Sequence, residues 1–193
     1  MKTTDFQGPA IVLRKEVLEL FILDLCKPIK NIKPDLPIDI TILEQPTVLE
    51  NVSTTMLTQH IASGQKIFVA YYRKKPVGYL FATTSQCWVG EIQDSLMVAP
   101  KEIYLFNAYV YKELRGRSIY PALLSHTAQY YKEKSFKNAL IFTAQNNITS
   151  VKGIKKAGFK YSGDIHFRNF LGRKCWEYSR RKSDSRSYFI HEV

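Results

Sequence analysis

The chain reads as a mixed domain of the α/β or α+β class, and three observations point there. Two strand–helix–strand patterns fill its second half, a strand hairpin precedes them, and the composition is that of a globular protein. Apolar residues make up 45% and charged residues 23% of the 193 residues, close to globular averages. At 22.3 kDa the chain fits one domain most simply, with two small ones possible. It is long enough to bury a core without disulfide staples.

The elements follow in chain order. Residues 11–27 read as a helix, with Val17, Leu18, Phe21 and Leu25 on one side. Pro28, Pro34 and Pro37 mark a linker. Ile38–Leu43 alternates weakly, as a strand would. Residues 47–63 look helical and end at Gly64, a suitable C-terminal cap. Lys66–Tyr72 and Val77–Thr84 are rich in β-formers and are joined by a turn over residues 73–76, so they read as a hairpin. Residues 85–101 form an irregular loop over one sheet face.

Glu102–Val110 is a strong strand, expected to carry Tyr104, Phe106, Ala108 and Val110 on one face. Leu114–Ser118 is a basic, glycine-containing turn, and Ile119–Lys134 is a helix with Pro121 in its first turn. Ala139–Ala144 is a short buried strand. Asn147–Ala157 is a helix stopped by Gly158, and Phe159–Ser162 and Lys174–Ser179 finish as strands. The expected organisation is a helical extension over 1–36, a domain over 37–182 and a tail over 183–193.

Several function classes drop out. The longest apolar run, Val17–Cys26, is broken by Glu19 and Asp24 and is too short to span a bilayer. No small-residue cleavage site follows it, so no secretion signal is expected. Cys26, Cys87 and Cys175 form no CxxC pair, which fits free thiols in a reducing cytoplasm. His60, His126, His166 and His191 lack metal-ligand spacing, so no metal is expected. The net charge is +11, and residues 155–186 hold ten lysines and arginines against three acids. Such a surface attracts nucleic acid, acidic lipid or a phosphorylated small molecule, or is simply solvated.

The segment from Val110 to Leu124 combines a strand end, a basic turn and a helix start. Backbone N–H groups and the positive helix end converge there, which suits a phosphate or pyrophosphate, and Arg115 and Arg117 add charge. Thirty-two residues after Arg115 comes Asn147-Ile148-Thr149-Ser150, and eleven residues after Asn147 comes Gly158-Phe159. This arrangement resembles the GCN5-related N-acetyltransferase (GNAT) superfamily over roughly residues 66–179. There a strand leads into an R/Q-x-x-G-x-G/A turn, followed by an N-x-x-S/A helix start and a terminal G-F.

The resemblance implies a mostly antiparallel central sheet flanked by helices, with a V-shaped split between two parallel central strands. It implies acetyl-CoA as co-substrate and transfer of an acetyl group to a primary amine; the acceptor is left open among an amino sugar, a small amine, an antibiotic and a protein terminus, with a small-molecule amine or amino sugar expected ahead of a protein. It places the acetyl and pantetheine arm along Ala108, Tyr109 and Val110, beside a bulge in the central strand. The pyrophosphate falls over Arg115, Gly116, Arg117, Ser118, Ile119 and Tyr120, with Asn147 and Ser150 completing the site. Asn147 is also a good helix N-cap, and the two roles are compatible.

The chain departs from the pattern in its turn and in its acid–base groups. Ser118 and Tyr120 stand at the turn's glycine positions, with Gly116 supplying freedom instead. The tyrosine that often protonates the leaving thiolate falls at Ile154, which has no proton to give. The strand carboxylate of some members falls at Tyr104, with Glu102 two residues earlier. Glu102 is therefore the expected base and Tyr104 the expected positioner of the acceptor. A non-catalytic acetyl-CoA-binding module is one alternative. A basic RNA- or ribosome-binding protein, with Phe159, Tyr161, Phe167, Phe170 and Tyr178 stacking on bases, is another.

Overall fold

A computed structural model describes residues 14–180 of the chain. The tail expected over 183–193 and the first residues of the expected N-terminal helix lie outside the described residues. Ten strands and three α-helices appear among the described residues. They are β1 (Arg14–Asp24), β2 (Asp39–Ile42), α1 (Thr54–Ala62), β3 (Lys66–Tyr72), β4 (Lys75–Thr83), β5 (Cys87–Val89), β6 (Asp94–Leu96), β7 (Glu102–Val110), α2 (Ile119–Glu133), β8 (Asn138–Ala144), α3 (Ile148–Lys156), β9 (Lys160–Phe170) and β10 (Arg173–Arg180). Eight strands form one sheet in the order β10-β9-β1-β8-β7-β4-β3-β2, and β5 and β6 pair separately. Every neighbouring pair in the large sheet is antiparallel except β7 and β8. No helix among the described residues is long and apolar enough to cross a membrane.

The expected helix over 11–27 is strand β1 instead. It runs between β9 and β8 and pairs with both. Leu18 and Leu20 join Leu140, Ile165 and Phe167 in one cluster, while Phe21, Leu23 and Leu25 join the main core on the other face. A strand buried on both faces shows no polar–apolar alternation, so its apolar run carries no period-2 signal.

Three other boundaries shift. α1 starts at Thr54 rather than near 47, because Ser53 Oγ accepts the Met56 N–H at 3.1 Å and sets the helix start there. The loop over 85–101 contains the β5–β6 hairpin, whose Leu96, with Ile92 from its turn, closes over Tyr104. β9 runs on to Phe170, well beyond the expected end at Ser162, and forms a long hairpin with β10, which lies within one residue of its expected bounds.

The feature that positions the site is in β7. Its pairing with β8 runs from Glu102↔Asn138 to Leu105↔Ile141 and stops there. β7 continues alongside β4 as far as Val110, and β8 continues alongside β1 as far as Ala144. The two parallel strands therefore part after four residue pairs. At the same level β7 bulges: Phe81 faces Phe106, but Tyr79 faces Tyr109, so Asn107 and Ala108 together oppose Leu80. Asn107 takes the left-handed conformation with φ 46°, which asparagine tolerates better than most residues.

The extra residue inverts the strand's faces. Ile103, Leu105 and Val110 face the core beneath α2 and α3. Tyr104, Phe106 and Tyr109 face the opposite side. The expectation that Tyr104, Phe106 and Val110 share a face is thereby corrected.

If β1 belongs to the core, Phe21→Ala should cost about 3–5 kcal/mol of stability in urea denaturation, the range for a fully buried phenylalanine. A loss below about 1 kcal/mol would show that β1 does not carry the sheet.

Candidate functional site

Where β7 leaves β8, a cleft of about 560 Å³ opens between the end of β7 and the N-termini of α2 and α3. All the candidate cofactor residues except Arg117 line it: Ala108, Tyr109, Val110, Arg115, Gly116, Ser118, Ile119, Tyr120, Asn147 and Ser150. Arg117 instead offers its carbonyl to the Asp35 N–H at 3.2 Å. Residues from three separate elements are thus gathered at one place by the strand split and by the two helices that start beside it.

The turn before α2 is built from two left-handed residues. Gly116 has φ 79°, which glycine adopts at no steric cost, and Ser118 has φ 61°. The Ser118 side chain does not cap α2; its Oγ accepts a hydrogen bond from Lys156 Nζ at 2.7 Å. The positive end of a fifteen-residue helix therefore lies open at the cleft without a side-chain cap. Lys152 and Lys156 of α3 and Arg115 bring three cations to the lining. Arg115 is held on the strand side, with Nε donating to the Val110 carbonyl at 3.0 Å and its guanidinium 5.4 Å over the Tyr109 ring. This is an anion-binding geometry.

On α3, Asn147 Oδ1 accepts the Ser150 N–H at 3.1 Å, so the expected capping role is present. Tyr120, bulky where a small residue was expected, lies against Gly153. A Cβ at position 153 would stand 2.5 Å from Tyr120 Cδ1, so the ring fits only because α3 carries glycine there. The Tyr120 hydroxyl shares a hydrogen bond with Ser150 Oγ at 3.3 Å. Burial pushes its pKa up to about 12, which keeps it protonated at neutral pH. Ile154, one turn further along α3, is fully buried in the core and offers no proton.

The structure does not bring the expected catalytic pair to this cleft. Glu102 lies six positions before Ala108, about 20 Å along an extended strand. It is 2% exposed, and its Oε1 accepts Asn138 Nδ2 at 2.9 Å. Tyr104 is also buried, stacked on Phe106 at 5.3 Å, and burial holds its hydroxyl well above the usual range. For Glu102 the reason is its distance along β7, and for Tyr104 the bulge at Asn107 also turns its face away from Val110.

The stacking aromatics expected for RNA are mostly core. Phe159 and Phe167 are buried, Tyr161 and Tyr178 are half-buried, and only Phe170 is exposed.

Sequence reasoning missed Gly153, Lys152 and Lys156. A glycine in mid-helix opposite an oversized Tyr120 was the available signal for the first. Nothing in the local pattern distinguishes the two lysines from solvated helix charges.

Residues 38–159 match the family model described as Acetyltransferase (GNAT) family. No curated protein sequence matches the chain significantly. Among solved structures, a GCN5-related N-acetyltransferase from Sphaerobacter thermophilus superposes with a TM-score of 0.55 and 13% identity, covering 80% of this chain and 51% of that one. An acetyltransferase from the GNAT family of Colwellia psychrerythraea gives 0.54 and 16%, covering 82% and 56%. The GCN5-related glucosamine N-acetyltransferase region of a fungal multi-domain GH3 beta-N-acetylglucosaminidase gives 0.57 and 14%, covering 82% and 21%. The chain spans about half the length of the first two and a fifth of the third. At these identities the likeness is one of fold.

The Tyr120–Gly153 fit has a measurable consequence. Glycine to alanine in a helix gains about 1 kcal/mol on propensity, while overlap with a packed ring costs on the order of 1–3 kcal/mol. Gly153→Ala is therefore expected to destabilise the wild type and to become neutral or stabilising in a Tyr120→Ala background. Urea denaturation of the four proteins checks this, and equal effects in both backgrounds would refute the contact.

Proposed function

Because the chain belongs to the GNAT acetyltransferase family, we propose that it transfers an acetyl group from acetyl-CoA to a primary amine of a small molecule or amino sugar. The observation that carries this reading is the cleft where β7 and β8 part, closed at one end by an uncapped helix start and three cations.

In this reading the pyrophosphate rests on the Arg115–Tyr120 turn, where helix N–H groups and Arg115, Lys152 and Lys156 neutralise it. The pantetheine arm runs along Ala108–Val110. Those residues have lost β8 as a pairing partner on that side, so peptide-like amides can add there as a strand would. The thioester carbonyl lies near the bulge, whose backbone N–H groups are suited to an oxyanion. The amine must arrive neutral or lose its proton before attack. Tyr120 and Ser150 supply hydroxyls to the pyrophosphate end of the cleft, and the departing thiolate, a weak base, can leave with a proton from water. The fungal glucosamine N-acetyltransferase region supports a small-molecule acceptor.

A non-catalytic acetyl-CoA-binding module is the second reading. It is favoured by the distance of Glu102 and Tyr104 from the cleft and by the burial of Ile154.

Acetyl-CoA at a hundredfold excess over its Kd should stabilise the protein by about 2.7 kcal/mol, and a short RNA should not shift the melting temperature. Arg115→Ala should weaken acetyl-CoA binding by about 1.5–3 kcal/mol, and Asn147→Ala should cost about 1 kcal/mol of stability as a lost cap. A melting temperature unmoved by saturating acetyl-CoA would refute the cofactor assignment. Binding without CoA release on any amine would leave the second reading.

A further inference from the structure

The acetyltransferase reading says nothing about which amine is acetylated, and a group of side chains just outside the cleft bears on that. Tyr109 lines the cleft, and its side chain projects to the sheet face opposite α2 and α3. Its hydroxyl donates to Glu50 Oε2 at 3.2 Å. Two more tyrosines fix the same residue through its backbone. Tyr79 donates to the Glu50 carbonyl at 2.9 Å, and Tyr111 accepts the Glu50 N–H at 3.1 Å. Tyr79 and Tyr109 are stacked, with ring centroids 5.8 Å apart, and Tyr111 follows at 6.0 Å from Tyr109.

Glu50 belongs to the short segment before α1, some sixty positions away in sequence from Tyr109 and Tyr111, yet three hydroxyls determine where it sits. The two backbone bonds, the Leu49–Val52 bridge and the buried Leu49 anchor the loop. The third bond orients the carboxylate itself. The residue is exposed, and among the described residues no lysine or arginine forms an ion pair with it. In a chain of net charge +11, a carboxylate that is oriented by a tyrosine, bordered by aromatic rings and left without a cation has the composition of an ammonium site. The site also borders the cleft, because Tyr109 both lines it and bonds the carboxylate. Tyr109 is the first residue of β7 to pair with β4 again after the bulge.

We propose that Glu50, held by Tyr79, Tyr109 and Tyr111, binds a second ammonium group of the acceptor, so that the preferred acceptor is a short diamine. One nitrogen, neutral, meets the thioester beside the bulge, and the other stays protonated against Glu50. This inference rests on the acetyltransferase reading and deepens it by naming the acceptor class.

CoA release from acetyl-CoA tests it, with putrescine, cadaverine and butylamine as acceptors and acetyl-CoA binding measured in parallel. The expected result is a kcat/KM at least tenfold higher for putrescine or cadaverine than for butylamine. In Glu50→Gln the KM for the diamine should rise about tenfold, with the KM for acetyl-CoA and the rate on butylamine unchanged. Tyr109→Phe should give a smaller change in the same direction.

Equal use of butylamine and the diamines, a diamine preference that survives Glu50→Gln, or no acetylation of any of the three while acetyl-CoA binds would each overturn the diamine inference alone. Failure of acetyl-CoA to bind would overturn the acetyltransferase reading and the inference with it.

Discussion

The structure turns on one interruption of hydrogen bonding: the pairing of β7 with β8 ends after Leu105↔Ile141. The candidate site depends on that point. The parting strands make the cleft, and the two helices that begin beside it bring their positive ends to its mouth. A continuous sheet would leave no room there. The interruption is tolerated because each strand keeps a partner on its other side, β4 for β7 and β1 for β8. Backbone groups freed on one edge are therefore concentrated at a single place rather than scattered along the sheet. β1 matters to the cleft for this reason. It comes from the N-terminal segment and holds β8 in place across its full length while β8 diverges from β7.

The bulge at Asn107 adds a second consequence. By inserting one residue opposite Leu80, it gives β7 two different face assignments. Before it, even-numbered side chains face away from α2 and α3; after it, odd-numbered ones do. Val110 can therefore pack under the helices while Tyr109 reaches across the sheet to Glu50. A residue count along an ideal strand gives the wrong face for every position beyond the bulge.

This explains what was legible in the sequence. The strand 102–110, the helix starts at Ile119 and Ile148 and the strand at 139–144 were readable because their signals are local: apolar runs, a basic glycine turn, an asparagine cap. The residues that line the cleft were readable for the same reason, since they sit at strand ends and helix starts. β1 was not, because a strand buried on both faces looks like any other apolar run. Glu102 was misplaced because it lies too far back along β7, and Tyr104 because its role depended on face parity, which a single left-handed asparagine inverts. Tyr120 stood out as a misfit in the turn, and its resolution at Gly153 required the packing of two helices distant in sequence. Glu50 carries no local signal; its position is defined by hydroxyls from two strands of the sheet and the residue just beyond β7.

The central claim is that the opened edge of β7 and the start of α2 together form the acetyl-CoA site. Amide hydrogen exchange with and without acetyl-CoA tests it residue by residue. Protection gained at Ala108–Val110 and at Ser118–Tyr120, with the Glu102–Leu105 stretch unchanged, is the expected result. Protection confined to other parts of the chain, such as the β9–β10 hairpin, would contradict it.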